Sequence, residues 1–455
     1  MSPNPPTPNP RRLATRVVSR VLDEGAYSHI ALDQALTGAA DMPERDRRLA
    51  TELVYGTLTW KRQIDAILAP NVKRGLERLD APLRAILRVA VYQLGWLRVP
   101  DHAAVNEAVK DSRRGRNKGA SGLINGVLRS VLRQRQSWPK APALDKDPTG
   151  HIAHECSLPD WLAGAMVKQF GPQEALALAK ASNERPGIAL RVTGALEGLQ
   201  ERRGALAQAL GGQLAPYSPG GVRLERLDSA AQQALAEGRA VVQDEGAQLV
   251  SWLAGQSSAG RILDGCAGLG GKTTHLAQLA NHGAVIVAVD DDAPKLKVLQ
   301  RTFKKLALPA AKTVCGDLRT LDIEALGGTF DTVLIDAPCS GLGVLRRHPE
   351  IRWHRKADDV AALARTQAEL LDRAARLLVP GGQLIYSVCT FTEQEGPDQI
   401  KALLERSPEL SLAPPPQGAS VPWQQLTKCQ TGWMALPHLH HTDGFFMSRL
   451  VRAQA

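Results

Sequence analysis

The stretch Arg261–Leu276, RILDGCAGLGGKTTHL, decides the fold. An apolar run ends at Asp264, a glycine-rich turn follows, and a helical pattern opens at Thr273. Glycines let the backbone approach a ligand closely, and the helix that follows aims its N-terminus at it. Two phosphate fingerprints fail here. A phosphate loop needs Gly-x-x-x-x-Gly-Lys-[Ser/Thr]; Lys272-Thr273 satisfy its end, but the first glycine falls on Cys266. Gly268, Gly270 and Gly271 do not give the Gly-x-Gly-x-x-Gly of dinucleotide folds either.

Outward from this stretch, strand and helix alternate. The apolar runs AVIVAVD (284–290), FDTVLIDAP (330–338) and GQLIYSV (382–388) are separated by helical segments such as AALARTQAELLDRAARLL. That alternation predicts a mostly parallel sheet with helices on both faces over residues 241–455, an α/β domain of Rossmann type. Near the end, the Asp443-Gly444 turn signal and the run that follows predict an antiparallel edge strand. Ligands of such sheets bind at the carboxyl ends of the strands. Asp290 ends its run 26 residues after Asp264, where an acid can accept from both ribose hydroxyls. Asp317 follows the next strand-like segment, where it can face an adenine amino group. Each acid alone is ordinarily a helix cap or a turn residue. The ordered set of turn, ribose acid and adenine acid points to S-adenosylmethionine.

Two cysteines also end apolar runs, Cys339 in DAPCSGLG and Cys389 in YSVCT. In a doubly wound sheet both open onto the cofactor crevice. A thiol beside a methyl donor suits methylation of a pyrimidine at C5. A thiolate that adds to C6 makes C5 nucleophilic, and an acid at N3, here Asp336, stabilises the charge that develops. The acids after Cys389 read as helix-start residues. Free cysteines are usually buried, and Cys156, Cys315 and Cys429 take that reading. His438, His440 and His441 read as a surface loop, so no metal site is expected.

The basic N-terminal third reads as a phosphate-backbone binder, with a solvated basic surface as the alternative. Residues 1–140 hold 24 Lys and Arg against 13 Asp and Glu, so the whole net charge of +10 comes from this third. Such a basic module suits a phosphate backbone. Its pattern is helical: in APLRAILRVAVYQLGWL, Leu83, Ile86, Leu87, Ala90, Val91 and Leu94 form one stripe, with Asp80 as N-cap and Arg84 and Arg88 off the stripe. The basic break SRRGRNKGASG, with Arg113, Arg114, Arg116 and Lys118, reads either as a grip for phosphates or as a solvated loop. Residues 1–10 read as a disordered tail, 11–140 as a helical bundle, 141–170 as a linker and 171–240 as a small α+β piece. Scattered cysteines without a Cys-x-x-Cys pair predict free thiols in a reducing cytoplasm, and no run is long enough to span a membrane.

DGCAGLGGKT, DAPCSGLGVLRRHPEIRW, YSVCT and TDGFF together resemble the RNA 5-methylcytosine methyltransferases. The basic segment GAYSHIALDQAL…DRRLATELVYGTLTW…AVNEAVK looks like the RNA-binding domain of the NusB family. The resemblance implies a multidomain chain: an all-α NusB-like domain, a small α+β subdomain and an α/β methyltransferase domain. It implies methylation of one cytosine in small-subunit ribosomal RNA by a monomer. Cys389 would be the nucleophile and Cys339 the second cysteine, assisting proton removal or release. Cys266, Ala267, Gly268, Leu269, Gly270, Gly271 and Lys272, with Asp290, Asp317 and Asp336, would line the S-adenosylmethionine site. Arg346, Arg347, Arg352 and Arg355, with His348, form an expected rim for RNA phosphates. Leu269 stands where the family usually has proline, and Thr193 in Arg191-Val192-Thr193 where it often has asparagine. Two rivals remain at this point: a tRNA cytosine-C5 methyltransferase, and a non-catalytic RNA-binding assembly factor.

Overall fold

The computed structural model describes residues 9–113, 119–255, 260–280, 283–416 and 420–454. The expected tail before residue 9, and Arg114, Arg116 and Lys118 of the basic break, lie outside the described residues. The chain divides into two compact units, Met1–Asn183 with Leu345–Lys356, and Glu184–Val344 with Ala357–Ala455.

The first unit is helical. Its helices are α1 (Pro10–Glu24), α2 (Ser28–Thr37), α3 (Glu44–Thr59), α4 (Lys61–Leu68), α5 (Ala81–Trp96), α6 (Asp101–Ser112), α7 (Ser121–Arg133), α8 (Pro148–Glu155) and α9 (Asp160–Ala181). Local sequence sets their ends. The Asn9 side chain accepts from the N–H groups of Arg11 and Arg12, Pro10 occupies the first turn, and Gly25 ends α1 at φ +73°. Leu13, Val17, Leu53, Leu58, Leu87 and Ile124 pack into one core. The stripe on α5 faces that core, but Arg88 is buried with it: its guanidinium donates to both oxygens of Asp65, at 2.7 and 3.0 Å. Asp80 precedes α5 without a side-chain cap bond.

The stretch expected as a linker is not one: it holds α8 and the first half of α9, which kinks at Gly171-Pro172. The proline-rich signal covers only its first residues.

The second unit carries two sheets. Strands β1 (Ile188–Val192), β2 (Gln213–Leu214), β3 (Gly221–Leu224) and β4 (Ala240–Val242) form an antiparallel sheet in the order β2-β3-β1-β4. It shares one apolar core with the larger sheet instead of standing apart as an independent piece. The larger sheet holds β5 (Arg261–Asp264), β6 (Val285–Asp290), β7 (Lys312–Cys315), β8 (Phe330–Asp336), β9 (Leu378–Val388), β10 (Leu410–Leu412), β11 (Thr427–Cys429), β12 (Gly432–Ala435) and β13 (Phe445–Arg452). Its order is β11-β12-β13-β9-β8-β5-β6-β7, with β10 also on β13. Strands β9-β8-β5-β6-β7 are parallel, and β13 joins β9 antiparallel.

Strand β13 is therefore not the edge. β12 and β10 pair with it, so Phe445–Ser448 and Leu450 are buried. Cys156 is buried and its thiol is pushed up to about 12 by desolvation, whereas Cys315 is exposed, against the expectation of burial. No helix among the described residues is long and apolar enough to cross a membrane.

Candidate active site

Strand β5 delivers the glycine-rich turn to the carboxyl end of the parallel sheet. Gly268 sits at φ +54° and Gly270 at φ +87°, conformations that favour glycine. A Cβ on Gly270 would also lie 2.6 Å from Leu299, so the turn packs closely against the helix Ala293–Lys305. At Gly268 the space around a Cβ is open, and Leu269 projects outward at 60% exposure. The helix Gly271–Leu279 starts directly after the turn.

Asp290, at the end of β6, holds this turn. Its Oδ2 accepts from the Gly268 N–H at 2.8 Å, and its Oδ1 from the Asp292 N–H at 3.0 Å. A carboxylate has about four acceptor directions, so capacity for ribose hydroxyls remains. Asp317 follows β7, where its carboxylate pairs with Arg319 at 2.6 Å; hydrogen bonds from Arg319 hold its pKa below the ordinary aspartate value. The open turn at a helix N-terminus and the two strand-end acids fit a nucleoside-bearing cofactor such as S-adenosylmethionine.

Asp336 ends β8 between two donors: Lys272 Nζ at 2.5 Å from Oδ2, and the Ser387 hydroxyl at 2.7 Å from Oδ1. Burial alone would lower the Lys272 pKa, but the Asp336 carboxylate raises it above its usual value, so the ammonium stays charged. Beneath the turn, Asp264 is buried, with Thr273 Oγ1 donating to it at 2.7 Å, and desolvation raises it to about 7. The Cys266 thiol is pushed up by burial and by Asp264, Asp336, Asp290 and Asp291, which keeps it neutral.

The two strand-end cysteines meet. Cys339 Sγ lies 3.2 Å from Cys389 Sγ, both just past the paired ends of β8 and β9. The neighbouring Cys389, then burial, push the Cys339 thiol well above its ordinary value. Their loops interlock through Gly343, whose N–H donates to Cys389 O at 3.0 Å while Gly444 N–H donates to Gly343 O at 2.8 Å. DAPCSGLG, YSVCT and TDGFF thus converge on one point.

Two buried polar groups near the site escape the sequence reading. Glu395, among the acids after Cys389, is no helix-start residue: the helix begins at Pro397, and the carboxylate is fully buried. It accepts from the Ser340 N–H at 2.7 Å, the Ser340 hydroxyl at 2.5 Å, Thr392 Oγ1 at 2.9 Å and Gln367 Nε2 at 3.1 Å. Arg191, beside the Thr193 departure, is buried under the small sheet. It donates to Gln243 Oε1 at 2.6 Å, to Thr274 Oγ1 at 2.9 Å and to Gln278 on the helix after the turn. Desolvation pulls it to about 9, still protonated at neutral pH.

One expected RNA contact is corrected. Arg352 is fully buried in the first unit, donating to Asn183 Oδ1 at 2.7 Å and to Ser182 O at 3.3 Å, so it meets no phosphate. Trp353 Nε1 likewise donates to Leu58 O at 2.6 Å. Arg346, Arg347 and Arg355 are half-buried. The expected surface histidines also differ: His440 is buried, and its ring accepts from the Leu436 N–H at 2.8 Å.

Residues 250–451 match the model of the family described as 16S rRNA methyltransferase RsmB/F, and residues 8–133 match the NusB family. The ribosomal RNA small subunit methyltransferase B of Pseudomonas putida is 35% identical, with 98% of this chain and 99% of that protein aligned. Its counterpart from Vibrio cholerae is also 35% identical, over 97% of each. The crystal structure of PH0851 superposes with a TM-score of 0.80 over 97% of this chain and 98% of its own, at 25% identity. Matched end to end by such relatives, and carrying both domains in order, the chain belongs to the RsmB/F family of S-adenosylmethionine-dependent rRNA methyltransferases.

Proposed function

We propose that this chain methylates C5 of a cytosine in small-subunit ribosomal RNA through a covalent adduct between Cys389 and C6. The observation that carries this reading is the 3.2 Å approach of Cys339 and Cys389 beside the Lys272–Asp336 pair. RNA binding alone needs neither thiol. The names of the relatives favour ribosomal over transfer RNA, and the net +11 of residues 1–140 supplies charge for its phosphates.

In this reading, Cys389 attacks C6 as thiolate; the S–C6 bond forms, the C5–C6 double bond opens, and charge moves toward N3. The Lys272–Asp336 pair stabilises that charge. When bound, S-adenosylmethionine would supply the electrophilic methyl group that the electron pair at C5 takes up as the donor's S–CH3 bond breaks. Cys339 then assists removal of the C5 proton, its electron pair re-forms the C5–C6 bond, and the Cys389 thiolate leaves. The base must leave its stack to reach the thiols. Arg346, Arg347 and Arg355 keep the phosphate role in this reading; Arg352 does not.

The test is a denaturing gel of Cys339→Ala incubated with small-subunit rRNA and S-adenosylmethionine. A slow-migrating protein–RNA adduct is expected, and it should vanish when Cys389→Ser is added. Absence of the adduct, with methylation surviving in Cys389→Ser, overturns the assignment. The same assay on a tRNA fraction separates the two RNA classes.

A further inference from the structure

We infer that His29, His348 and Glu350 form a divalent-cation site in the helical unit, of a ligand type that suits zinc. His29 lies in the first turn of α2, and His348 and Glu350 come from Leu345–Lys356, which belongs to the same unit. One ligand atom from each of the three lies within 4.8 Å of the others. The imidazoles stand edge to face, their centroids 4.9 Å apart.

Two buried atoms of this cluster, Glu350 Oε2 and His348 Nδ1, lack a hydrogen bond. Glu350 is fully buried; its Oε1 accepts from the Ser28 N–H at 3.1 Å, but its Oε2 has no hydrogen-bond partner. His348 Nδ1 is buried as well, also without a hydrogen-bond partner, and lies 3.7 Å from Glu350 Oε1. That separation is too long for a hydrogen bond. It suits two ligands of one ion: with bonds of about 2.1 Å, donors 3.7 Å apart subtend roughly 120° at the metal.

Burying a carboxylate and an imidazole nitrogen with no hydrogen bond between them costs free energy, and a cation held by both offsets that cost. Two imidazoles with one carboxylate favour zinc over calcium or magnesium, which take oxygen ligands, and leave one position for water. The sequence hides the site because His29 stands some 300 residues before its partners. An ion there would pin Leu345–Lys356 to the start of α2.

The test uses the full chain carrying Cys339→Ser and Cys389→Ser, so that the paired thiols do not compete for metal. After chelator treatment and desalting, it is titrated with Zn²⁺ by calorimetry, with metal analysis of the product. One Zn²⁺ per chain is expected, with a rise in Tm, and both should be lost on adding His29→Ala. His29 is exposed, so that variant should match its parent in metal-free Tm. Co²⁺ should give visible bands without thiolate charge transfer. The inference is overturned by no stoichiometric Zn²⁺, by equal binding in the His29→Ala chain, or by a thiolate band with Co²⁺.

Discussion

Glu395 Oε1 lies 2.7 Å from the backbone nitrogen of Ser340, the residue that follows Cys339. A carboxylate six residues after one cysteine thus fixes the backbone of the other. Removing it leaves the Ser340 N–H and hydroxyl, Thr392 and Gln367 short of a buried acceptor, each worth about 1–3 kcal/mol. Glu395→Ala should therefore lower stability by several kcal/mol and slow methyl transfer. Glu395→Gln keeps one acceptor oxygen and should fall between. Urea unfolding together with single-turnover rates decides this; an active, wild-type-stable Glu395→Ala would remove the carboxylate's positioning role.

Lys272 and Asp336 form a pair in which the carboxylate keeps the ammonium charged, with the Lys272 side chain only 12% exposed. Asp336→Asn strands a buried ammonium, a change that costs about 3–5 kcal/mol when a buried pair is broken on one side. Under the proposed mechanism the same pair stabilises charge on the base, so methyl transfer should fall at least about 100-fold. Lys272→Met/Asp336→Asn should recover stability but not rate. A double-mutant cycle in stability and single-turnover rate checks both; recovery of rate would show that the pair is structural only.

Much of this site was legible because its signals are local. Each of the chemical motifs is a strand end followed by its own turn, so period and glycine placement suffice to put Cys339, Cys389, Asp290 and Asp336 at one end of a parallel sheet. What was not legible depends on partners distant in sequence. Arg352 reads as an exposed basic residue until Asn183 and Ser182 enclose it. Arg88 is off the apolar stripe yet buried, because Asp65 neutralises it. Proline at 139, 142 and 148 suggested a linker, but Pro148 serves as the first residue of α8, where proline is tolerated. β13 read as an edge because the short β10 and β12, which cover it, carry little periodicity of their own.

Gly343 tests how tightly the three motifs interlock. A Cβ there would lie 2.1 Å from Gly444 O and 2.9 Å from Cys389 O, both backbone atoms that cannot rotate away. Gly343→Ala should displace the end of β9 and cut adduct formation at least about 10-fold, a loss expected when reacting groups shift by a fraction of an ångström. Gly126, within α7 and with nothing within 4 Å of an added Cβ, is the control. Gly126→Ala should be stabilising by about 0.5–1 kcal/mol and leave the rate unchanged. Equal activity in the two variants would mean that the loops around Cys389 yield freely.

Asp264 predicts a pH dependence of stability. Desolvation raises its folded pKa to about 7, far above the ordinary aspartate value, and the Thr273 hydroxyl only partly offsets this. The unfolded chain releases that proton near pH 4, the folded chain near 7. The contribution of Asp264 is thus fully present below about pH 4 and is lost as pH rises to 7, by roughly 1.4 kcal/mol per pH unit at most. Asp264→Asn keeps an acceptor for Thr273 without the charge. Its urea midpoint should therefore fall less between pH 5 and pH 8 than that of the wild type, with the variant ahead at pH 8. Parallel pH profiles for the two chains would show that Asp264 is ionised in the fold at both pH values.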